Sequence, residues 1–199
     1  LAAPSDVEVV LFDEGAGAAE IERLGLLVRA ELGDACYSAD GSSLPETVLA
    51  LARTMNVRIA TAESCTGGKI AAALTDIPGS SDVFLGGVVA YSNTIKTTAL
   101  SVAEAALAEF GAVSEQTARE MAAGAAGLTG AQFAVSTTGV AGPGGGTAEK
   151  PVGLVWIGIA TPTGVSAVLR KFLGDRTGVR TRATMFALDL LRRALQEAE

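Results

Sequence analysis

Apolar positions recur along this chain with two spacings, and the switches between them mark out the elements. Residues 7–12 read as a short strand, residues 18–32 carry apolar side chains at helical spacing, and residues 34–43 are polar and turn-rich. Ser43 and Glu46 then match the Ser-x-x-Glu capping box, with Pro45 in the first turn, ahead of the apolar face of Val48, Leu49 and Leu51. That helix should end near Asn56. Residues 57–61 read as a buried strand, residues 68–75 as a helix, residues 88–91 as another short strand, and Ser92-Asn93 as the cap of a helix running through Lys96. A second capping box, Ser101-x-x-Glu104, opens a helix closed by Gly111, and Ser114 caps a long Ala-rich helix ending between Gly127 and Gly130. Residues 133–137 form a strand, and residues 139–146 a glycine-dense loop. Residues 153–161 and 165–173 flank the turn Pro162-Thr163-Gly164 as an antiparallel hairpin, and residues 177–198 finish as an amphipathic helix.

Helices alternating with strands, plus one hairpin, predict an α/β fold. The expected form is a three-layer α/β/α sandwich on a mixed sheet, spanning residues 44–199, with residues 1–43 as a small α+β appendage or connecting segment. In such a fold the ligand site lies outside the carboxyl ends of the strands, where loops converge.

Composition narrows the possibilities. The chain is 49% hydrophobic but only 5% aromatic and holds 24 glycines among 199 residues, so small and aliphatic side chains must build the interior. A net charge of −7 argues against an electrostatic footprint for nucleic acid or anionic lipid. The two cysteines, Cys36 and Cys65, form neither a disulfide framework nor a zinc-ligand spacing. Residues 1–6 lack the pattern of a secretion signal, and no apolar run approaches the ~20 residues of a membrane span. The expectation is a cytoplasmic protein without membrane contact, metal or cofactor, and the close-packing Ala- and Gly-rich helices suit a homo-oligomer.

Histidine is absent from the whole sequence. That removes the commonest general base and metal ligand, so any hydrolytic chemistry must draw on another side chain.

The run Glu63-Ser64-Cys65-Thr66-Gly67-Gly68 joins a strand to a helix. A hydroxyl there can project free of the sheet while the following backbone N–H groups form an oxyanion hole. Ser64 or Thr66 equally suits the ordinary role of helix cap. The phosphate-loop pattern fails, since Glu63 stands for its first glycine and Ile70 for its hydroxyl residue. Gly142 and Gly144 fail the dinucleotide fingerprint, Thr147 taking the place of the third small residue. Cys65 has no histidine to lower its pKa, and a small buried side chain is its simpler role. Activation of Ser64 therefore falls to lysine or tyrosine, with Lys69, Lys96 and Lys150 as the loop lysines. Lys96 stands out, because Tyr91 and Lys96 flank a strand-to-helix turn that can face one cleft. A core-edge tyrosine and a solvated lysine are the plain alternative.

Six ordered blocks resemble the CinA C-terminal domain family of nicotinamide mononucleotide deamidases. They are the run from Thr61 to Gly68; the run from Thr75 to Ser81; Gly86-Gly87-Val88-Val89-Ala90-Tyr91-Ser92-Asn93 with Lys96; Ala112-Val113-Ser114-Glu115; the run from Thr138 to Gly145 with Lys150-Pro151-Val152-Gly153; and Gly174-Asp175-Arg176. The match runs from about Leu44 to the end. Residues 7–40 resemble the connecting region that precedes this domain in full-length CinA proteins, which usually carry a molybdopterin-binding-like domain further upstream. Thr94 and Ile95 stand where the family more often shows a glutamate-containing helix start.

The resemblance implies hydrolysis of the carboxamide of nicotinamide mononucleotide to nicotinate mononucleotide and ammonia, without a cofactor. It implies Ser64 as nucleophile, Tyr91 or Lys96 handling its proton, and Thr66 and Gly67 as backbone oxyanion donors. Gly68, Ser80, Ser81, Thr138, Gly139, Gly142 and Gly144 would hold the substrate, with Lys150 or Arg176 supplying charge to its phosphate. Two other functions fit the same blocks: a non-catalytic protein-binding module of a competence-related CinA protein, or an amidase for another pyridine nucleotide.

Overall fold

The computed structural model describes residues 2–3, 6–15 and 17–198. Two short strands, β1 (Ala2–Ala3) and β2 (Asp6–Val7), pair antiparallel, and helix α1 (Ala18–Leu32) follows over the range its periodicity predicts. The strand expected over residues 7–12 is limited to Val7, because residues 8–12 join no strand among the described residues. α1 presents no buried residue.

From Ser43 onward the chain builds one sandwich. Helix α2 (Leu44–Thr54) opens on the expected capping box: the Ser43 side chain accepts from Glu46 N–H, and the Glu46 carboxylate accepts from Ser43 N–H at 2.7 Å. Strand β3 (Ile59–Glu63), helix α3 (Lys69–Thr75), strand β4 (Phe84–Val89), helices α4 (Asn93–Leu100), α5 (Glu104–Phe110) and α6 (Glu115–Thr129), and strand β5 (Phe133–Gly139) follow. Strands β6 (Leu154–Thr161) and β7 (Gly164–Lys171) make the expected hairpin, and α7 (Arg176–Glu197) closes the chain. The sheet order is β4-β3-β5-β6-β7, with β3 parallel to both β4 and β5, and β6 antiparallel to β5 and β7. The sheet is therefore mixed, and the fold is α/β.

Along β3, alternation sorts the two cores. Ile59 joins Val48, Leu74, Val179 and Leu188 under α2, α3 and α7, whereas Ala60 and Ala62 join Met121, Ala122 and Leu100 under α4 and α6. The second core explains the scarcity of aromatics. A Cβ on Gly124 of α6 would stand 2.0 Å from the Leu100 carbonyl, so α4 and α6 pack at a distance only glycine permits.

Two local expectations are corrected. The strand placed over residues 88–91 lies earlier, over Phe84–Val89, because its pairing with β3 begins at Phe84 and ends opposite Glu63. The capping box at Ser101 does not form: Ser101 is the left-handed C-cap of α4 at φ 55°, and α5 starts after Ala103. The three-residue gap between the helices leaves Ser101 ending one rather than starting the next.

The parallel register sets Glu63 at the end of β3 beside Val89 and Thr137. After β3 the chain goes to β4 on one side, then returns past β3 to β5 on the other. β3 thus lies at a switch point, and the residues just beyond Glu63 open into the crevice such a reversal creates.

Candidate active site

Glu63 organises the turn that carries Ser64. It is 1% exposed, and its carboxylate accepts from Gly68 N–H at 2.9 Å, Ile70 N–H at 3.1 Å and Ala71 N–H at 2.8 Å. These are the N-terminal donors of α3, whose N-cap is Gly68 at φ 93°, without a side-chain cap of its own. Glu63 therefore does what a capping hydroxyl would do. Neither Ser64 nor Thr66 caps the helix: Thr66 Oγ1 bonds Thr137 Oγ1 at 2.7 Å, and Ser64 N–H extends the sheet ladder by donating to Thr137 O. The Ser64 hydroxyl is left facing the cleft.

Lys96 meets it there. Ser92 caps α4, accepting from Ile95 N–H at 3.3 Å, and the first turns of the helix put Lys96 and Leu100 on the buried face. Lys96 is 1% exposed; its Nζ lies 3.2 Å from Ser64 Oγ and donates to the Ala90 carbonyl at 2.8 Å. Burial pulls the ammonium below the ordinary lysine range, with the nearby Cys65 acting weakly the other way. No carboxylate lies within ion-pairing distance of Lys96 among the described residues. A buried amine with no counter-ion, in contact with a serine hydroxyl, is the arrangement a general base requires.

Cys65 is 6% exposed, and burial pushes its thiol up to about 11, so it stays a neutral thiol beside the serine.

The cleft holds about 210 Å³, and its walls include Ser64, Cys65, Tyr91, Lys96, Thr138, Gly139 and Arg176. Tyr91 stands at the rim, 62% exposed, where its hydroxyl accepts from Arg176 Nη2 at 2.9 Å; the hydrogen bond to Ser64 comes from Lys96. Arg176 Nη1 donates to the Gly142 carbonyl at 2.8 Å, tying the glycine loop to Tyr91 across the mouth. Thr138 lines the wall with its hydroxyl turned to the Ala112 carbonyl at 2.6 Å.

The other predicted site residues lie elsewhere. Ser80 and Ser81 form a short turn just before β4, at the amino end of a strand whose carboxyl end leads to Tyr91, so they stand at the opposite end of the parallel strands from Ser64. The Gly68 N–H is spent on Glu63. Gly142 offers its carbonyl to Arg176, Gly144 is exposed in the loop, and Lys150 donates to the Phe110 carbonyl at 2.7 Å behind the cleft wall. Thr66 and Gly67 follow Ser64 in the turn without forming the cleft wall. Lys69 is the first residue of α3 and makes no hydrogen bond to Ser64 among the described residues, that bond coming from Lys96.

Sequence reasoning passed over Glu63, Asn93 and Arg180. Glu63 was legible: an acidic residue between a strand end and a helix start suits the orphan N–H groups there. Asn93 opens α4 and lines the cleft. Arg180, a turn beyond Arg176 in α7, donates from Nε to the Cys65 carbonyl at 3.1 Å and from Nη2 to the Thr66 carbonyl at 2.6 Å. Nothing in its helical context announces that contact across 115 positions of sequence.

Comparison with known proteins identifies the family. The family model described as "CinA C-terminal domain" matches residues 41–195. A CinA-like protein of Kosmotoga olearia is 49% identical over 84% of this chain and 41% of its own length. A protein of Thermoanaerobacter pseudethanolicus named a putative competence-damage inducible protein is 45% identical over 88% of this chain and 42% of its own. This chain thus spans about two fifths of the curated relatives it matches. Among solved structures, the competence/damage inducible protein CihA of Agrobacterium tumefaciens superposes with a TM-score of 0.73 at 45% identity, covering 77% of this chain and 93% of that one. The competence damage-inducible protein A of Klebsiella pneumoniae superposes with a TM-score of 0.74 at 33% identity, covering 79% and 100%. The chain belongs to the CinA superfamily.

Proposed function

We propose that this CinA-family chain is a serine amidohydrolase that converts nicotinamide mononucleotide to nicotinate mononucleotide and ammonia. The observation that carries the reading is the 3.2 Å contact between Ser64 Oγ and the buried Lys96 Nζ. With its amine neutral, Lys96 takes the hydroxyl proton as Ser64 Oγ attacks the carboxamide carbon. Collapse of the tetrahedral adduct breaks the C–N bond, and Lys96 returns the proton to the departing nitrogen, which leaves as ammonia. Water, deprotonated by the same amine, then attacks the Ser64 ester; the C–O bond breaks, Lys96 hands the proton to the departing Ser64 Oγ, and the nicotinate product leaves with serine and neutral lysine restored. Backbone N–H groups of the turn after Ser64 stabilise the oxyanion in both halves, each well-placed donor contributing roughly 3 kcal/mol.

The cleft, at about 210 Å³, is smaller than the ~300 Å³ or more of pockets that enclose whole ligands. It suits the carboxamide-bearing ring, with the ribose phosphate left at the mouth where Arg176 and the glycine loop meet. Tyr91 acts at that mouth, and its contact with Arg176 makes it a positioning group rather than the base.

The test is ammonia release from nicotinamide mononucleotide by the purified chain and by Ser64→Ala. Ser64→Ala should lower kcat by about 10³-fold or more, with a thermal midpoint within about 2 °C of the parent. Full activity in that variant overturns the mechanism. Turnover of other amides but not of this nucleotide, in a panel of pyridine carboxamides, overturns the substrate and leaves the serine.

A further inference from the structure

Most polar side chains on the cleft wall are already paired. Ser64 bonds Lys96, Tyr91 bonds Arg176, Thr138 bonds the Ala112 carbonyl, and the Cys65 thiol bonds Thr137. Asn93 lines the same cleft, is exposed, and has no side-chain hydrogen-bond partner among the described residues. We propose that Asn93 is a specificity-determining residue that reads the carboxamide nitrogen, its Oδ1 accepting one N–H of the group that leaves as ammonia. This rests on the amidase reading and deepens it.

The placement follows from α4. Asn93 and Lys96 stand three positions apart in this helix, so their side chains share one face, and both line the cleft. Lys96 is 1% exposed, whereas Asn93, at the start of the helix, is open to solvent. An asparagine at a helix start often serves as its cap, but here Ser92 holds that place, accepting from Ile95 N–H at 3.3 Å. The Asn93 amide is therefore free to face a ligand. When Ser64 Oγ attacks, the substrate nitrogen must turn toward Lys96 Nζ, because the proton taken from the serine returns to that nitrogen. A nitrogen turned to α4 in this way has Lys96 on its buried side and Asn93 on its solvent side.

The chemistry is complementary. A carboxamide nitrogen presents two N–H donors, and the Asn93 oxygen is an acceptor with no prior claim on it. Arg176, the cation of the rim, offers only donors and cannot take that role. As the C–N bond breaks, the nitrogen gains a proton and positive charge, so its bond to Oδ1 becomes charge-assisted. The contact is then stronger in the transition state than in the bound substrate, and it raises kcat besides selecting the amide. An ester at the same carbon has no N–H to offer and draws nothing from Asn93.

The experiment follows hydrolysis of nicotinamide mononucleotide and of the methyl ester of nicotinate mononucleotide by the parent, Asn93→Ala and Asn93→Asp, each at its own pH optimum. Both substrates yield nicotinate mononucleotide, so one chromatographic assay serves for both. In Asn93→Ala, kcat/KM for the carboxamide should fall about 10- to 100-fold, with kcat sharing the loss, while the value for the ester stays within about three-fold. Asn93→Asp keeps the acceptor and should hold the amide-to-ester ratio within about five-fold of the parent's. The side chain is exposed and unbonded among the described residues, so both variants should keep the thermal midpoint within about 2 °C. Equal losses on both substrates in Asn93→Ala, no loss on either, or a ratio in Asn93→Asp as low as that of Asn93→Ala overturns the role of Asn93 and leaves the amidase reading standing. A parent chain that releases no ammonia from the nucleotide overturns the amidase reading, and the role of Asn93 with it.

Discussion

Replacing Lys96 with methionine separates what the amine does for chemistry from what it costs the fold. Methionine keeps an unbranched apolar chain in the same slot and removes the basic nitrogen. Two contacts go with it: the one to Ser64 Oγ at 3.2 Å and the bond to the Ala90 carbonyl at 2.8 Å. Loss of a general base costs about 10²–10⁴-fold in rate, and with no histidine to substitute, the upper end of that range is expected. Stability should respond differently. An unmet buried carbonyl at Ala90 costs about 1–3 kcal/mol, while relief of the buried charge returns about 1.4 kcal/mol for each unit by which burial lowers the pKa. The two act in opposite directions near neutral pH. The pH dependence then carries the signature. Below the lowered pKa both folded and unfolded states hold the Lys96 proton, and the full burial penalty stands. Between that pKa and the ordinary value near 10.5 the unfolded chain binds more protons, so parental stability rises with pH relative to Lys96→Met. Urea unfolding of both proteins from pH 7 to 10.5, alongside ammonia release, measures both effects. A variant retaining more than about a tenth of the parental rate, or stability curves that run parallel across that range, would refute the assignment.

Glu63→Gln should disturb the same turn from inside the sheet. An amide leaves one oxygen for three N–H donors and sets its own NH₂ against one of them, a loss of about 2–4 kcal/mol. In a chain of this size that lowers the thermal midpoint on the order of 5–15 °C, with a fall in kcat as Ser64 shifts; calorimetry showing no change would remove Glu63 from its capping role. Cys65, its thiol held near 11, should resist iodoacetamide at pH 8 while half-buried Cys36 reacts, and activity should survive the treatment. Mass spectrometry that locates the label on Cys65 together with loss of turnover would make the cysteine, not the serine, the group to follow.

Most elements could be read from local pattern because their ends carry local chemistry. α2 begins where Ser43, Pro45 and Glu46 say it should, and α6 runs from the Ser114 cap to Gly130. Where the reading slipped, the deciding contact was distant. β4 lies over Phe84–Val89 rather than 88–91 because its pairing with β3 sets its limits, and two adjacent glycines mask the strand pattern. Ser101 and Glu104 have the spacing of a capping box, yet the left-handed turn that ends α4 claims Ser101 first. Ser80 and Ser81 stood in a family block, but sequence order alone does not tell one end of a strand from the other, and the structure puts them at the far end.

At Ser64 the sequence left two roles in balance, helix cap and nucleophile, and the Glu63 carboxylate removes the first. Glu63 takes the three N–H groups at the start of α3, so the serine hydroxyl is not drawn into the helix. The same turn gives the Cys65 and Thr66 carbonyls to Arg180. A histidine-free site therefore assembles its parts by backbone geometry and burial: the sheet register ends β3 beside β4, the ensuing turn brings α4 back across the switch point, and that helix lowers Lys96 onto Ser64. In the proposed mechanism the lysine can serve as base only because the packing that positions it also strips it of water and gives it no carboxylate. Position and protonation state thus have one cause, and a substitution at Leu100, which shares the buried face of α4 with Lys96, should alter both together.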